Sequence, residues 1–387
     1  MAADVDMAAF RGGTLLLNWV FYNPVGHVAE GVKVAKGLAD ANPGTEVSIL
    51  LNSTAPYELA QACPWIAQVY TADPRDALTP GGAEAALGGV PREWDDLIGD
   101  SRVSNTTFPL APDLAAFHRA ADAYFVARRF KGHAYHPPET GAPRYRRDTP
   151  IRLPIGPEAR AFAAAYPDGS PKIAVLMAGS SPEPIYPSLR WWTRLFRALL
   201  AAFPDARLYV TGLSRGDGGR TITHAFKRET LDGVFARFPR AVDCYDIGLA
   251  NQLALLERCD ALVAPHTGFG SLAPCVGTPW IAVSGGRYPE YLFNRVPFYS
   301  AVPPCPRYPC YAGMKPACQR RLARGARVLC MDDRPLGRRV PEIVEGVRRV
   351  LDPAFTYERA VETYRERVAA AGAARDRFFS WERSVPV

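Results

Sequence analysis

The stretch Pro265-His266-Thr267-Gly268-Phe269-Gly270-Ser271-Leu272-Ala273 carries the sharpest chemical signal in this chain. It follows an apolar run and reads as the opening of a helix. Small residues there would let backbone amides approach a ligand, and free N–H groups at a helix start favour an anion such as a diphosphate. A tight turn whose glycines only satisfy backbone geometry fits the same spacing, and spacing alone leaves both readings open. His27 is the second signal. Its imidazole, with an unperturbed pKa of ~6.5, can take a proton near neutral pH, while a polar cap on the following helix is the plainer role. Asp113 and Asp122 could orient it, and sequence distance decides nothing between them. His118, His133, His136 and His224 read as surface or boundary residues and receive no role.

Cys305, Cys310, Cys318 and Cys330 form the third signal. Half of the eight cysteines fall within 26 residues. Thiolates suit tetrahedral zinc or iron, which accept soft sulfur ligands, although these spacings are not those of a common zinc finger. Buried free thiols are an equal alternative, and a metal there would be structural. No Asp-x-Asp pair suited to a catalytic Mg²⁺ is present near these motifs, because Asp95-Asp96 and Asp332-Asp333 are adjacent residues. Turnover that survives EDTA is therefore expected.

These residues need elements to hold them. Thr14–Phe21 is an apolar, β-prone run. After a Pro-Val-Gly turn, Val28, Val32, Ala35 and Ala39 share one helix face. Asn42-Pro43-Gly44 ends that helix, and Glu46–Leu51 resumes as a strand, which makes a β-α-β unit. The order continues less clearly through Gln68–Tyr70, Trp94–Ile98 and a helix around Leu114–Arg129. His133–Pro171 is rich in Pro, Gly and Arg and reads as a linker. Then the alternation restarts: Lys172–Met177, a helix with Trp192, Leu195, Phe196 and Leu199 on one face, Arg207–Val210, a helix at Leu249–Arg258, the strand Ala261–Ala264, a short helix and the strand Trp280–Val283. Two charged helices follow, Pro341–Leu351 and Thr356–Phe379, expected on the surface. Two successive α/β halves with parallel sheets are the natural product of this order.

The 387 residues match about two domains of ~150 residues. With 48% hydrophobic and 22% charged residues, the chain has ordinary globular composition. Its formal charge is +7, and 40 of the 46 basic residues are Arg, a bias that genome composition explains as readily as phosphate recognition. The excess is local, however: Arg287 to Arg339 alone carries +8, so an anionic partner is expected there. The first residues lack a basic region ahead of an apolar stretch and do not read as a secretory signal. No run reaches the ~20 apolar residues that span a bilayer. The chain reads as cytoplasmic, or peripheral to the inner face of the membrane if its acceptor is a lipid, with its cysteines reduced.

In Leu253–Gly285 (LALLERCDALVAPHTGFGSLAPCVGTPWIAVSG) the order of residues resembles glycosyltransferase family nine, the ADP-heptose transferases and their relatives. That family carries an Asp-Thr-Gly-Leu-x-His-x-Ala block after the same strand. Thr267, Gly268 and Ala273 match it, whereas His266 stands where the family has Asp and Ser271 where it usually has His. Near the amino end the family shows Gly-Asp between strand and helix, and this chain shows Gly26-His27. The segment from Gly179-Ser180-Ser181 to Tyr186-Pro187 sits where the family has Lys-x-Trp-Pro. The Lys is replaced by Pro184, so Arg190 or Arg215 would have to supply that phosphate contact. Many relatives also place a cysteine cluster where Cys305 to Cys330 lie, and in some it holds a metal.

The resemblance runs from Thr14 to about Val350. It implies an α/β GT-B fold, two Rossmann-like domains facing each other across a cleft. An acceptor-binding domain would span 1–165, a nucleotide-sugar domain 166–350, and a C-terminal helix at 351–387 would return to the first. It implies an inverting, metal-independent transfer of a sugar, a heptose by family likeness, from a nucleotide diphosphate donor, with no cofactor required for catalysis and zinc or iron only structural. His27 would stand at the family's catalytic Asp position, and its Gly-His-Val order is similar to plant-type glycosyltransferases with a histidine base. Asp100 is the second catalytic candidate, since relatives often have a functional Asp after that strand; a loop or cap carboxylate is its plainer role. Ser180, Ser181, Arg215, His266, Thr267, Gly268, Phe269, Gly270 and Ser271 would bind the donor. The acceptor is open: an anionic glycolipid, a nucleotide-like metabolite or a protein, but no nucleic acid. A nucleotide-sugar epimerase or nicotinamide enzyme, or a non-catalytic sugar-nucleotide-binding relative, are the alternatives. The nicotinamide reading lacks G-x-G-x-x-G after the first strand, where only Gly26 sits at the turn.

Overall fold

The computed structural model describes residues 13–20, 23–73, 82–91, 93–99, 149–179, 183–214, 226–285, 294–308, 310 and 315–372. These fall into two compact units that part between Pro154 and Ile155.

The first unit holds β1 (Thr14–Trp19), α1 (Val25–Ala41), β2 (Glu46–Asn52), the short helix α2 (Glu58–Gln61), β3 (Val69–Ala72), α3 (Gly82–Leu87) and β4 (Asp96–Gly99). The strands pair in parallel in the order β3-β2-β1-β4. Leu15, Leu16 and Leu17 of β1 are all fully buried, an unbroken apolar run of the kind a parallel sheet requires when both of its faces are covered. Helix α1 packs on β1 and β2, and Trp19 at the end of β1 donates through Nε1 to the carbonyl of His27 at 2.8 Å.

The second unit begins with α4 (Pro157–Ala164) and continues through β5 (Lys172–Leu176), α5 (Leu189–Ala202), β6 (Arg207–Gly212), α6 (Arg228–Arg237), β7 (Ala241–Tyr245), α7 (Leu249–Arg258), β8 (Ala261–Pro265), β9 (Trp280–Val283) and β10 (Phe298–Ala301). It closes with α8 (Pro316–Ala323), α9 (Asp333–Gly337), α10 (Val340–Leu351) and α11 (Tyr357–Ala370). Its six strands are parallel in the order β10-β9-β8-β5-β6-β7. The start of α5 is set by Ser188, whose side chain accepts from the Trp191 amide at 3.1 Å, and the helix buries Trp191, Trp192, Leu195, Phe196, Leu199 and Leu200.

Several elements differ from the sequence reading. The supposed linker contains α4, an Ala-rich helix that buries only Ala159 and Ala163, too narrow an apolar stripe to stand out. It packs on α7, where Arg160 pairs with Glu257 at 2.7 Å, and so goes with the second unit. Helix α10 is not merely superficial, since it buries Val340, Ile343, Val344 and Val347. The last helix packs on β10, with the Tyr364 ring edge-on to Phe298 at 5.8 Å; residues beyond 372 and the expected helix at 114–129 lie outside the described residues.

Candidate functional site

Both sheets share one topological feature. In the first, β1, β2 and β3 step one way and β4 returns to the other side of β1; in the second, β5, β6 and β7 step one way and β8 returns beside β5. In open parallel sheets, ligands bind outside the carboxyl ends of strands at such reversals. Every described residue singled out from the sequence for catalysis or donor binding lies on a loop or turn leaving one of these two points.

At the β5/β8 reversal, Gly179 and Thr267 meet. A Cβ at position 179 would lie 2.8 Å from Thr267 Cγ2 and 2.8 Å from the Tyr186 hydroxyl, so only glycine lets the two loops approach this closely. Within the corner, Thr267 Oγ1 accepts from the Gly270 amide at 2.9 Å. The Ser271 amide donates to the Thr267 carbonyl at 3.3 Å, and Ser271 Oγ donates to the Gly268 carbonyl at 2.6 Å. Two expectations change here. Pro265 is followed by two short 3₁₀ turns, Gly270–Leu272 and Pro274–Val276, so no helix macrodipole points at a ligand. The amides of Gly270 and Ser271 are spent inside the corner. Among the described residues, those of Gly268 and Phe269 make no bond, and both residues are half-buried.

Gly270 has a packing reason of its own: a Cβ there would sit 2.6 Å from Trp280 Cζ2. His266 is 4% exposed, with its ring edge-on to Trp280 at 5.5 Å. Ser180, Ser181 and Arg215 lie outside the described residues, while Arg190 is exposed in the first turn of α5.

Sequence reasoning missed how the Gly179 loop is held. The Arg327 guanidinium donates through Nε to the Tyr186 carbonyl at 3.1 Å, and the Val328 amide donates to the Pro184 carbonyl at 3.0 Å. Ser188 Oγ bonds Asp333, and Trp191 Nε1 donates to the Leu336 carbonyl at 3.0 Å. The residues from 327 to 336 therefore clamp residues 184 to 191. No signal in the linear sequence links segments 140 residues apart. The same contacts bear on the local positive charge. Arg321 bonds Asp332 and the Arg327 carbonyl, Arg327 holds the loop, and Arg339, 7% exposed, pairs with Glu342. These three arginines serve the fold, while Arg320, Arg324, Arg334 and Arg338 are exposed.

A second missed feature is Asp246, at the end of β7 with a left-handed φ of 58°, a conformation that Asp tolerates better than most residues. Its carboxylate accepts from the Ser214 amide at 2.7 Å and from the Ser214 hydroxyl, joining the loops after β6 and β7. The turn Asp246-Ile247-Gly248 after an apolar strand was the available signal.

Of the four cysteines, Cys330 lies in the clamping stretch. Cys318 is buried and the other three are half-buried. Burial pushes the Cys330 thiol up to about 12, with Cys310 and Cys318 adding to it and Arg339 opposing it. Four soft sulfur donors suit zinc or iron. Among the described residues, however, no three Cys, His, Asp or Glu side chains converge as a group that could hold an ion.

At the β1/β4 reversal, His27 occupies the first turn of α1. Its Nδ1 lies 3.0 Å from Glu30 Oε2. Asp113 and Asp122 lie outside the described residues; i, i+3 spacing on a helix would have pointed to Glu30 as a partner. Asp100 lies outside the described residues, one position beyond Gly99, which pairs with Asn18 of β1. On the neighbouring β2 loop, Thr54 Oγ1 donates to Asn52 Oδ1 at 2.7 Å and accepts from Asn23 Nδ2 at 3.3 Å, a polar but uncharged network.

No known family's sequence profile matches this chain, and no curated protein matches it by sequence. Solved structures do match in fold. The glycosyl transferase family 9 structure from Veillonella parvula DSM 2008 aligns with a TM-score of 0.57 at 12% identity, covering 88% of this chain and 97% of that one. An iron-containing dodecameric glycosyltransferase, TibC from enterotoxigenic E. coli H10407, aligns at 0.50 with 14% identity, covering 88% and 80%. The α/β architecture, with its two parallel-sheet units, is the GT-B fold expected from the sequence. Among the described residues no helix is long and apolar enough to cross a membrane.

Proposed function

We propose that this protein is a glycosyltransferase that moves a sugar from a nucleotide diphosphate to an acceptor nucleophile, with inversion at the anomeric carbon. The observation that carries the reading is the meeting of Gly179 and Thr267 at the β5/β8 reversal, which joins the two loops assigned to the donor. In this reading the amides of Gly268 and Phe269 face the diphosphate. Ser180, Ser181 and Arg215 complete the donor site. Such fixed donors stabilise the charge that develops as the diphosphate leaves.

His27 is the base. It takes the acceptor proton while the acceptor oxygen bonds the anomeric carbon and the carbon–oxygen bond to the diphosphate breaks, its electron pair leaving with the diphosphate. Asp100 is the second candidate for that role. The sugar is a heptose and the nucleotide ADP by the sequence's resemblance to glycosyltransferase family nine, and the acceptor is an anionic glycolipid, nucleotide-like metabolite or protein. Among the described residues, Cys305, Cys310, Cys318 and Cys330 form no group that could hold an ion, and no step of the transfer runs through a metal at them.

The test uses His27→Ala with ADP-heptose as donor. A general base contributes ~10²–10⁴-fold, so transfer should fall by about that factor while ADP still raises the melting temperature as in the parent. Unchanged transfer would move the base to Asp100 or discard the mechanism. Binding of ADP without transfer by any variant, the parent included, would favour the non-catalytic alternative. Turnover should also survive EDTA, and complete loss on chelation, restored by Mg²⁺, would count against a metal-independent reaction.

A further inference from the structure

Helix α5, with the sequence LRWWTRLFRALLAA, contains no acidic residue. Its tryptophans, phenylalanine and most of its leucines are buried on one side, and the other side exposes Arg190, Arg194 and Arg197. Spaced i, i+4 and i+7, the three arginines form one row. Only small residues accompany them outward: Thr193, Ala198 and Ala201. Helix α9 packs beside α5, and the two meet where Arg194 crosses Gly337, since a Cβ at position 337 would sit 2.6 Å from Arg194 Nη1. Arg334, three residues before Gly337 and so on its side of the turn, and Arg338, directly after it, are exposed as well. Among the described residues, none of these five guanidinium groups makes an ion pair. The carboxylates of the neighbouring elements are engaged with other partners. Asp332 pairs with Arg321, Glu342 with Arg339 and Arg367, and Glu345 with Arg348 and Arg349. Asp333 bonds the Ser188 hydroxyl.

Like charges one turn apart on a helix repel and weaken it. This row contributes nothing to holding α5, which is fixed by its buried side and by the Ser188 cap. An anionic partner would relieve the repulsion. We propose that the face formed by α5 and α9 docks on a membrane leaflet that carries anionic phospholipid headgroups. Guanidinium forks match phosphate oxygens, and each basic residue brought near an anionic leaflet strengthens binding by about fivefold. A folded protein or a peptide would need a large apolar or aromatic anchor on this face, and the outward positions of α5 offer none. A plane of headgroups needs only charge. The docking stands on the second unit alone, whether or not the protein transfers a sugar.

Flotation of the full chain with lipid vesicles tests it. Vesicles of phosphatidylcholine mixed with phosphatidylglycerol should carry the protein, and vesicles of phosphatidylcholine alone should not. Raising the salt from about 0.1 to about 1 M shortens the screening length from ~10 to ~3 Å and should release the protein. Arg194→Glu combined with Arg197→Glu should weaken vesicle binding by at least roughly 25-fold, two factors of about five, with the melting temperature and its rise on adding ADP as in the parent. Arg237→Glu combined with Arg359→Glu makes the same change of net charge at exposed positions of α6 and α11 and should leave binding nearly unchanged. Arg338→Gln, a milder change on the second helix, should weaken binding by about fivefold, which keeps the test open if the α5 double variant fails to fold. Equal losses in the two double variants would overturn the proposal, because total charge and not this face would then govern binding. Failure of the parent to float with the anionic vesicles would overturn it too, and binding to polyglutamate in their place would identify an acidic polypeptide as the partner.

Discussion

The two strand reversals are topological equivalents, each formed where the fourth strand of a unit returns beside the first. Their chemistry is opposite. The β1/β4 end presents an ionisable pair, His27 with Glu30, mounted on a seventeen-residue helix. Among the described residues, the β5/β8 end presents small residues, a threonine, the Tyr186 hydroxyl and backbone amides, with His266 buried beside them. The same topology thus carries an ionisable pair at one end and a close-fitting set of small residues and amides at the other. A reaction that removes a proton from one partner while a diphosphate leaves the other needs both kinds of surface.

Gly179 offers the largest expected effect at the uncharged end. In Gly179→Val, the new side chain would start 2.8 Å from Thr267 Cγ2 and the Tyr186 hydroxyl, so the loops must part. Overpacking of this kind costs about 1–3 kcal/mol. We expect ADP to lose nearly all of its stabilising effect in a thermal melt. If the variant bound ADP as the parent does, the donor would have to lie elsewhere, and the contrast between the two reversals would lose its functional meaning.

How much of this was legible in the linear chain follows from the range of the interactions involved. The β-α-β order around β1 and the boundaries of α7 and β9 were readable because continuous apolar runs and single-faced helices are local patterns. The meeting of Gly179 with Thr267 was only implied by motif order, since pairing of β5 with β8 spans nearly ninety residues. The corner at 267–271 was misread as a helix start because Thr267 and Ser271 turn their hydroxyls onto backbone groups nearby, closing 3₁₀ turns in place of an α-helix. Strand β10 escaped notice because four residues between prolines give too short a pattern, and α6 because its charged residues outnumber the two it buries, Leu231 and Val234. Glu30 needed only its distance from His27 along a helix. The clamp on the Gly179 loop could not have been read at all.

That clamp gives the smallest and most discriminating test. Arg327 reaches the donor loop through the Tyr186 carbonyl, and Tyr186 in turn places its hydroxyl against the position of Gly179. Arg327→Ala removes one charge-assisted hydrogen bond, worth about 1.5–3 kcal/mol when buried and less at a half-exposed site such as this. The Val328 amide keeps its own bond to Pro184, so the loop should loosen without detaching. ADP affinity is expected to fall by roughly three- to tenfold in calorimetry. Equal losses at both reversals would mean that Arg327 supports the whole fold, and no change at either would mean that the Val328 bond alone holds the loop. A loss confined to nucleotide binding would tie the cysteine-bearing segment to the donor end, because Cys330 lies three residues from Arg327 on the same clamp.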